Sequence, residues 1–360
     1  MMKRSSNRYP LAGIDLSGGL QVAWEKGWLD EFSDNHFLIQ AIEGRLGKLP
    51  ASYYFDGITR DLSAFQINFC INISFKISKL ISLFGEHNIR RFFTDQLSAG
   101  KDNYDQDQFF RALSEVSVLC FYAMNADAGE YEPKINGKKN PEARLSLKNG
   151  VTVDIEVKTP GFNDFRGIDN IVIPTVLLDD QGRQKFSEYC IAHNLKAAMP
   201  RVMKIKDFLN SAAEKFEEVD HENHMNLLYI NWSLSVFEES GYQEAFSLMA
   251  HPVNGLLFHR DIGMSLGVDG DVYEKITAVI VYTESLYGLM FTDFRNVWMR
   301  GRDGQPNFGI IGMHNCSGIS EVTRMNPNAN QATPVVTGIF RDSNCVSEIM
   351  SLIGRHMLRP

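Results

Sequence analysis

Residues 140–160 read "NPEARLSLKNGVTVDIEVKTP", and this stretch decides how the chain is laid out. Asn149-Gly150 is a dipeptide that closes tight hairpins, because both residue types tolerate the left-handed backbone such turns demand. The runs on either side, 143–148 and 151–158, alternate in character and predict two antiparallel strands. Along the second run Val151, Val153, Ile155 and Val157 face one way, and Thr152, Asp154, Glu156 and Lys158 the other. Two readings of that polar face stand side by side. Either the hairpin is half exposed, with its charges in water, or the strand gathers carboxylates for chemistry.

The chemical reading needs a second acid beside Glu156, and Glu142 supplies it from the start of the neighbouring strand. Two carboxylates on adjacent strands can share a hard divalent cation, and Mg²⁺ favours a few such oxygens while keeping several waters. A cation of this kind polarises a phosphate oxygen and acidifies its bound water. Lys158, two residues beyond Glu156 on the same face, would stand beside that water or beside the charge developing on phosphate. Asp154, one step earlier on the strand, is expected to pair with Arg144 or Lys148 across the hairpin. Between Pro133 and Gly150 the chain carries Lys134, Lys138, Lys139, Arg144 and Lys148 against Glu142 alone, a local basic patch suited to phosphate contacts.

Working outward, the segment 98–108, "SAGKDNYDQDQ", is the best candidate for a boundary. Beyond it Phe109, Leu113, Val116 and Cys120 recur at helical spacing and predict an amphipathic helix ending near Asn125. A short strand at 129–136 follows, then the hairpin, a helix over 201–218 and a buried strand over 226–234. Before the boundary, 59–84 fits both strand and helix periodicities; its length favours helix, with Gly85 as C-cap. A further helix is expected over 87–98. Strands are expected from Ile276 and from Gly288, and a terminal helix over 343–356, capped by Asp342 or Ser343. The expected layout is α+β: a mainly helical region over 1–104, a core with insertions over 105–300, and a C-terminal extension over 301–360.

The Pro141-Glu142 pair, the short hairpin and Glu156-Val157-Lys158 on the next strand resemble the PD-(D/E)XK nuclease superfamily, the restriction-endonuclease-like fold. The order helix, three strands, helix, strand is similar to that fold's core, and the resemblance covers roughly residues 108–234. It implies a Mg²⁺- or Mn²⁺-dependent endonuclease, with Glu142 and Glu156 as metal ligands, the Val157 carbonyl as a further ligand and Lys158 as the catalytic lysine. Glu115, on the first core helix, is the candidate for an additional acid, with Glu130 and Glu132 as rivals. Lys204 and Lys206 on the following helix are candidates to neutralise phosphate, together with Lys138, Lys139 and Lys148. Family members usually carry Asp where this chain has Glu142, so the reach here is one methylene longer.

Other signals carry less. The net charge of −8 argues against coating nucleic acid by bulk electrostatics. Five scattered cysteines lack a C-x-x-C pair and read as free thiols. The longest apolar region, 62–84, is interrupted by Gln66, Asn68, Asn72, Lys76 and Lys79, so no membrane span is expected, and with no signal-peptide pattern the expected location is the cytoplasm. "HENH" at 221–224 has the wrong spacing for a zinc protease and is assigned to solvent; "GIDLSGG" lacks the P-loop Gly-Lys-Ser/Thr, and "LFHRD" stands without other kinase elements. The expectation is therefore an endonuclease acting on DNA, with RNA left open, a homodimer as the family implies, and a defence or restriction role. The alternatives are a catalytically inactive nuclease-fold protein that binds nucleic acid or a protein partner, and an interaction protein in which the hairpin is merely exposed.

Overall fold

The computed structural model describes residues 3–10, 18–47, 62–135, 139–160, 171–172, 180–197, 201–221, 223–232, 241–251, 255–282, 308–314 and 336–337. The N-terminal region is helical, as expected: α1 (Gly19–Glu25), α2 (Phe37–Ile42), α3 (Leu62–Phe84) and α4 (Glu86–Phe92), the last continued by a π-helical turn over Phe93–Leu97. Gly85 takes φ +80° between α3 and α4, a conformation that glycine adopts without strain. Next comes α5 (Gln106–Ala123), whose N-terminus is capped by Asp105 accepting from the amides of Asp107 at 2.9 Å and Gln108 at 3.2 Å.

Three strands follow: β1 (Ala126–Tyr131), β2 (Ala143–Leu147) and β3 (Thr152–Lys158). The hairpin turns at Gly150, φ +84°, in the predicted register, with Arg144 opposite Asp154 and Ala143 opposite Ile155. After a small two-stranded unit of β4 (Ile171–Val172) and β5 (Lys196–Ala197), with α6 (Asp180–Ala192) between them, the chain enters α7 (Arg201–Ala213) and β6 (His224–Asn231). The helix, three strands, helix, strand order is thus present, with β4, α6 and β5 inserted before α7. α8 (Gly241–Ala250), α9 (Arg260–Ser265) and α10 (Gly270–Lys275) precede β7 (Ala278–Tyr282), β8 (Phe308–Gly312) and β9 (Val336–Thr337). The expected strand from Gly288 and the terminal helix over 343–356 lie outside the described residues.

The main sheet has seven strands in the order β1-β2-β3-β6-β7-β8-β9. β3 is its seam: antiparallel to β2 on one side, parallel to β6 on the other. Val153, Ile155 and Val157 join a core built with α3 and α5, to which β6 adds Met225, Leu227 and Tyr229. On the opposite face Leu228 and Ile230 of β6 pack with Leu209, Ala212 and Phe216 of the α7 segment and with Ala245 and Met249 of α8. Helices therefore cover both faces of the central strands, which overturns the half-exposed reading of the hairpin: Asp154 and Glu156 are both fully buried. A strand with neighbours on both edges and helices on both faces has no wet side, so its charges must find partners.

The 98–108 segment is exposed over 100–103, but the residues on either side of it share one core: Tyr9, Trp24, Phe37, Phe69 and Ile77 pack in the same cluster as Phe109, Val116 and Ile155. α3 is long and apolar enough, by length and composition, to cross a bilayer. Here it packs against α1, α2 and α5, burying Phe65, Phe69, Ile73, Ile77 and Leu80. Of its interrupting polar residues Lys79 is exposed, while two are bonded inside: Lys76 donates to Ser117 Oγ at 2.6 Å, and Gln66 Oε1 accepts from the Leu46 amide at 3.1 Å. Cys70, Cys120 and Cys190 are free and buried.

Candidate active site

Glu142 stands one residue before β2, where its backbone is held from both sides. Its amide donates to the Ile155 carbonyl at 2.9 Å, and its carbonyl accepts from the Glu132 amide at 2.9 Å. That fastening directs the Glu142 side chain toward the end of β3, where Glu156 and Lys158 lie. Lys158 Nζ is 2.7 Å from Glu156 Oε1. A second ammonium arrives from the turn after α7: Lys215 Nζ is 2.7 Å from the same Glu156 oxygen and 3.5 Å from Glu142 Oε1. Glu115 comes from α5, close enough to Glu142 and Glu156 for their charges to act on it.

Burial and mutual repulsion govern these acids. The Glu115 pKa is driven well above the usual carboxylate range, first by burial and then by the charges of Glu142 and Glu156, with Lys215 and Lys158 opposing. Glu142 is raised to about 7, by burial and by Glu156, against the same two lysines. Lys215 is held above the ordinary lysine value: burial works against its charge, but Glu156 and Glu142 outweigh it. Tyr131, the last residue of β1, is also raised, by burial and then by Glu115, Glu132 and Glu142.

The hydrogen-bond accounting points the same way. Glu156 Oε1 is met by both lysines at 2.7 Å, while Glu156 Oε2, Glu115 Oε2 and the Tyr131 hydroxyl are buried without a hydrogen-bond partner. Buried polar atoms left this way are uncommon and mark places where an ion or water belongs. Acid-rich, oxygen-only and under-satisfied, this set fits a hard divalent cation. It is not a finished ligand cage, since among the described residues no three His, Cys, Asp or Glu side chains are drawn close enough to form one. Ammonium groups presently stand among the acids.

Asp154, two residues from Glu156 on the same face, is the instructive contrast. Arg144 donates to it through Nε and Nη2, both at 2.7 Å, and His224 Nε2 lies 3.1 Å from Oδ2. Burial alone would raise its pKa, yet the Arg144 and His224 hydrogen bonds prevail and hold it below the ordinary aspartate value. The expected structural pairing with Arg144 is thus present, and three of the roughly four acceptor sites of Asp154 are taken by Arg144 and His224. Arg144 also reaches Glu217 at 3.0 Å, tying the segment after α7 to the hairpin.

Other predicted residues are placed differently. Of the rivals to Glu115, Glu130 is exposed, and Glu132 pairs with Arg91. Lys148 is exposed at the hairpin tip, the opposite end of the strand from Glu156, about 20 Å away by strand rise. Lys139 is exposed and pairs with Glu214, and Lys138 lies outside the described residues. Lys204 is exposed, with its ammonium 5.3 Å from the Phe208 ring centre. Lys206 is buried, with Nζ 3.2 Å from Asp207 Oδ1, so its charge is not offered to solvent as expected. The "HENH" histidines are likewise structural rather than solvent-facing. His224 serves Asp154, while His221 bonds Thr277 Oγ1 at 2.8 Å and stacks on His314 at 3.8 Å.

Two members of the cluster, Lys215 and Tyr131, were not anticipated. Lys215 had one visible signal, since it sits beside the apolar stripe of the helix that follows the acid-bearing strand, next to core residue Phe216. Tyr131 had none beyond its place at the end of a strand. Compared with protein-family models, with curated proteins and with solved structures, the chain matches none, so the assignment of a function rests on the geometry of this cluster.

Proposed function

We propose that this protein is a metal-dependent endonuclease that hydrolyses phosphodiester bonds in DNA, on a PD-(D/E)XK-like core. One observation carries the reading: Glu142 and Glu156, with Glu115 behind them, share one buried corner with Lys158 at the end of the central strand. In this reading Glu142 and Glu156 hold a Mg²⁺ or Mn²⁺ ion, Glu115 adds charge from α5, and the Val157 carbonyl lies on the same strand. When bound, the ion supplies Lewis acidity to a phosphate oxygen and to water. Lys158 contributes a fixed positive charge at the reacting phosphate, and Glu156 holds that ammonium in place. A cytoplasmic location and a homodimer that cuts both strands complete the proposal.

Plasmid incubated with the purified protein and Mg²⁺ or Mn²⁺ tests it. Nicking or linearisation is expected, falling about a hundredfold or more in Lys158→Ala and Glu156→Ala. Cleavage that persists in both variants removes the reading. A second reading is favoured by the position of Lys215, whose ammonium spans the two principal acids: a nuclease-fold protein without catalysis that binds nucleic acid or a protein partner. Retention of DNA on a gel by wild-type protein, without cleavage under any divalent ion, selects it.

A further inference from the structure

Glu156 receives two ammonium groups on one oxygen, and they are not equivalent. Lys158 comes from the same strand and, among the described residues, pairs with Glu156, whereas Lys215 reaches both Glu156 at 2.7 Å and Glu142 at 3.5 Å. Contact with two carboxylates from neighbouring strands is the contact pattern of a bridging cation. The segment bearing Lys215 is also fastened in several places. Glu214 pairs with Lys139, and the Glu217 carboxylate takes a bond from Arg144 at 3.0 Å. The Glu217 carbonyl accepts from Asn226 Nδ2 at 2.8 Å, and the same amide nitrogen reaches the Lys275 carbonyl at 2.8 Å. Phe216 anchors the chain in the core between them. Neighbours pinned on both sides fix the backbone from which Lys215 reaches the acids, while its four-carbon stem keeps its own freedom.

We infer that Lys215 is a resident counter-ion: it neutralises Glu142 and Glu156 in the metal-free protein and must withdraw before a divalent cation is held by them. This rests on the proposed metal-binding reading of the site. The physical ground is that two carboxylates, Glu156 completely buried and Glu142 largely so, reach one ammonium, and charged acids removed from water are stabilised by a positive charge between them. Lysine suits the task, because its flexible stem allows the ammonium to swing away while the backbone stays fixed. Lys215 thereby sets the threshold concentration of metal at which the site fills. It is a positioning residue, not a catalytic one.

The test is Mn²⁺ binding followed by calorimetry, without nucleic acid, on wild type, Lys215→Met and Lys215→Arg, alongside thermal melts in chelator. Met keeps the stem and removes the charge; Arg keeps the charge and reports on folding. Lys215→Met is expected to bind Mn²⁺ about tenfold or more tightly than wild type, to melt lower in chelator, and to regain stability as metal is added. Lys215→Arg stays near wild type or weaker. Equal or weaker Mn²⁺ affinity in Lys215→Met overturns the inference while leaving the metal site intact. Binding by Lys215→Met but not by wild type, lost again when Glu156→Ala is added, upholds the inference and instead removes catalysis by the native chain. No Mn²⁺ binding by any variant overturns both.

Discussion

Asp154 and Glu156 leave the same strand on the same face with equal burial, yet their surroundings give them opposite characters. Asp154 is held by three contacts from Arg144 and His224, which favour its charged form and fix it in place. Arg144→Ala would strand that carboxylate in a dry site and release Glu217 at once. A loss of about 3–5 kcal/mol in urea unfolding is expected, and Asp154→Asn in the same background should recover part of it. Glu142 behaves in the reverse sense. Its folded pKa of about 7 lies above the ordinary glutamate value of 4.5, so between those values the folded protein keeps a proton that the unfolded chain has released. Its contribution to stability therefore falls as pH rises through that window, by about 3 kcal/mol at most. Metal-free wild type should lose stability between about pH 5 and about pH 7.5, and Glu142→Gln should flatten that slope. Unfolding measured in chelator at the two pH values checks both statements.

The elements fall into two groups by their function. α1 and α3 build scaffold, and they do so through a close approach at Gly19, where an added Cβ would lie 2.4 Å from Ile77 Cγ2 and 2.7 Å from the Ser78 amide nitrogen. A side chain can rotate away but a backbone nitrogen cannot. Gly19→Val should cost about 1–3 kcal/mol, seen as a lower melting temperature, while leaving Mn²⁺ affinity unchanged because α1 is remote from the acids. At this scale much was legible in the sequence. The Asn-Gly turn and the strict alternation of 151–158 put β2 and β3 in register, and the four-three-four spacing after Asp105 gave α5. What periodicity could not supply was the second layer of helices. Alternation looks the same whether the polar face meets water or another layer, so Asp154 and Glu156 read equally well as surface charges. The end of α7 was misplaced for a related reason: "EKFEE" continues a helical pattern, but Arg144 and Asn226 bind Glu217 and draw the chain out of the helix.

Across the whole molecule, the acids and the bridging amine of the site come from places that only the complete sheet brings together. Glu115 lies on α5, Glu142 and Glu156 on the hairpin, and Lys215 beyond an inserted unit of β4, α6 and β5. Local patterns named the hairpin members because they are close in sequence; Lys215 was hidden because nothing short-range connects it to Glu142. The pairing that unites the two halves sets Thr152 beside His224 and Lys158 beside Ile230, across a wide gap in the chain. Closing such a gap is slow, since loop entropy is lost before any contact repays it. The two hairpin acids meet as soon as the local turn closes, whereas the bridging amine comes in with the far half of the sheet, so a fragment ending at β3 would hold its crowded charges with Lys158 as the remaining ammonium.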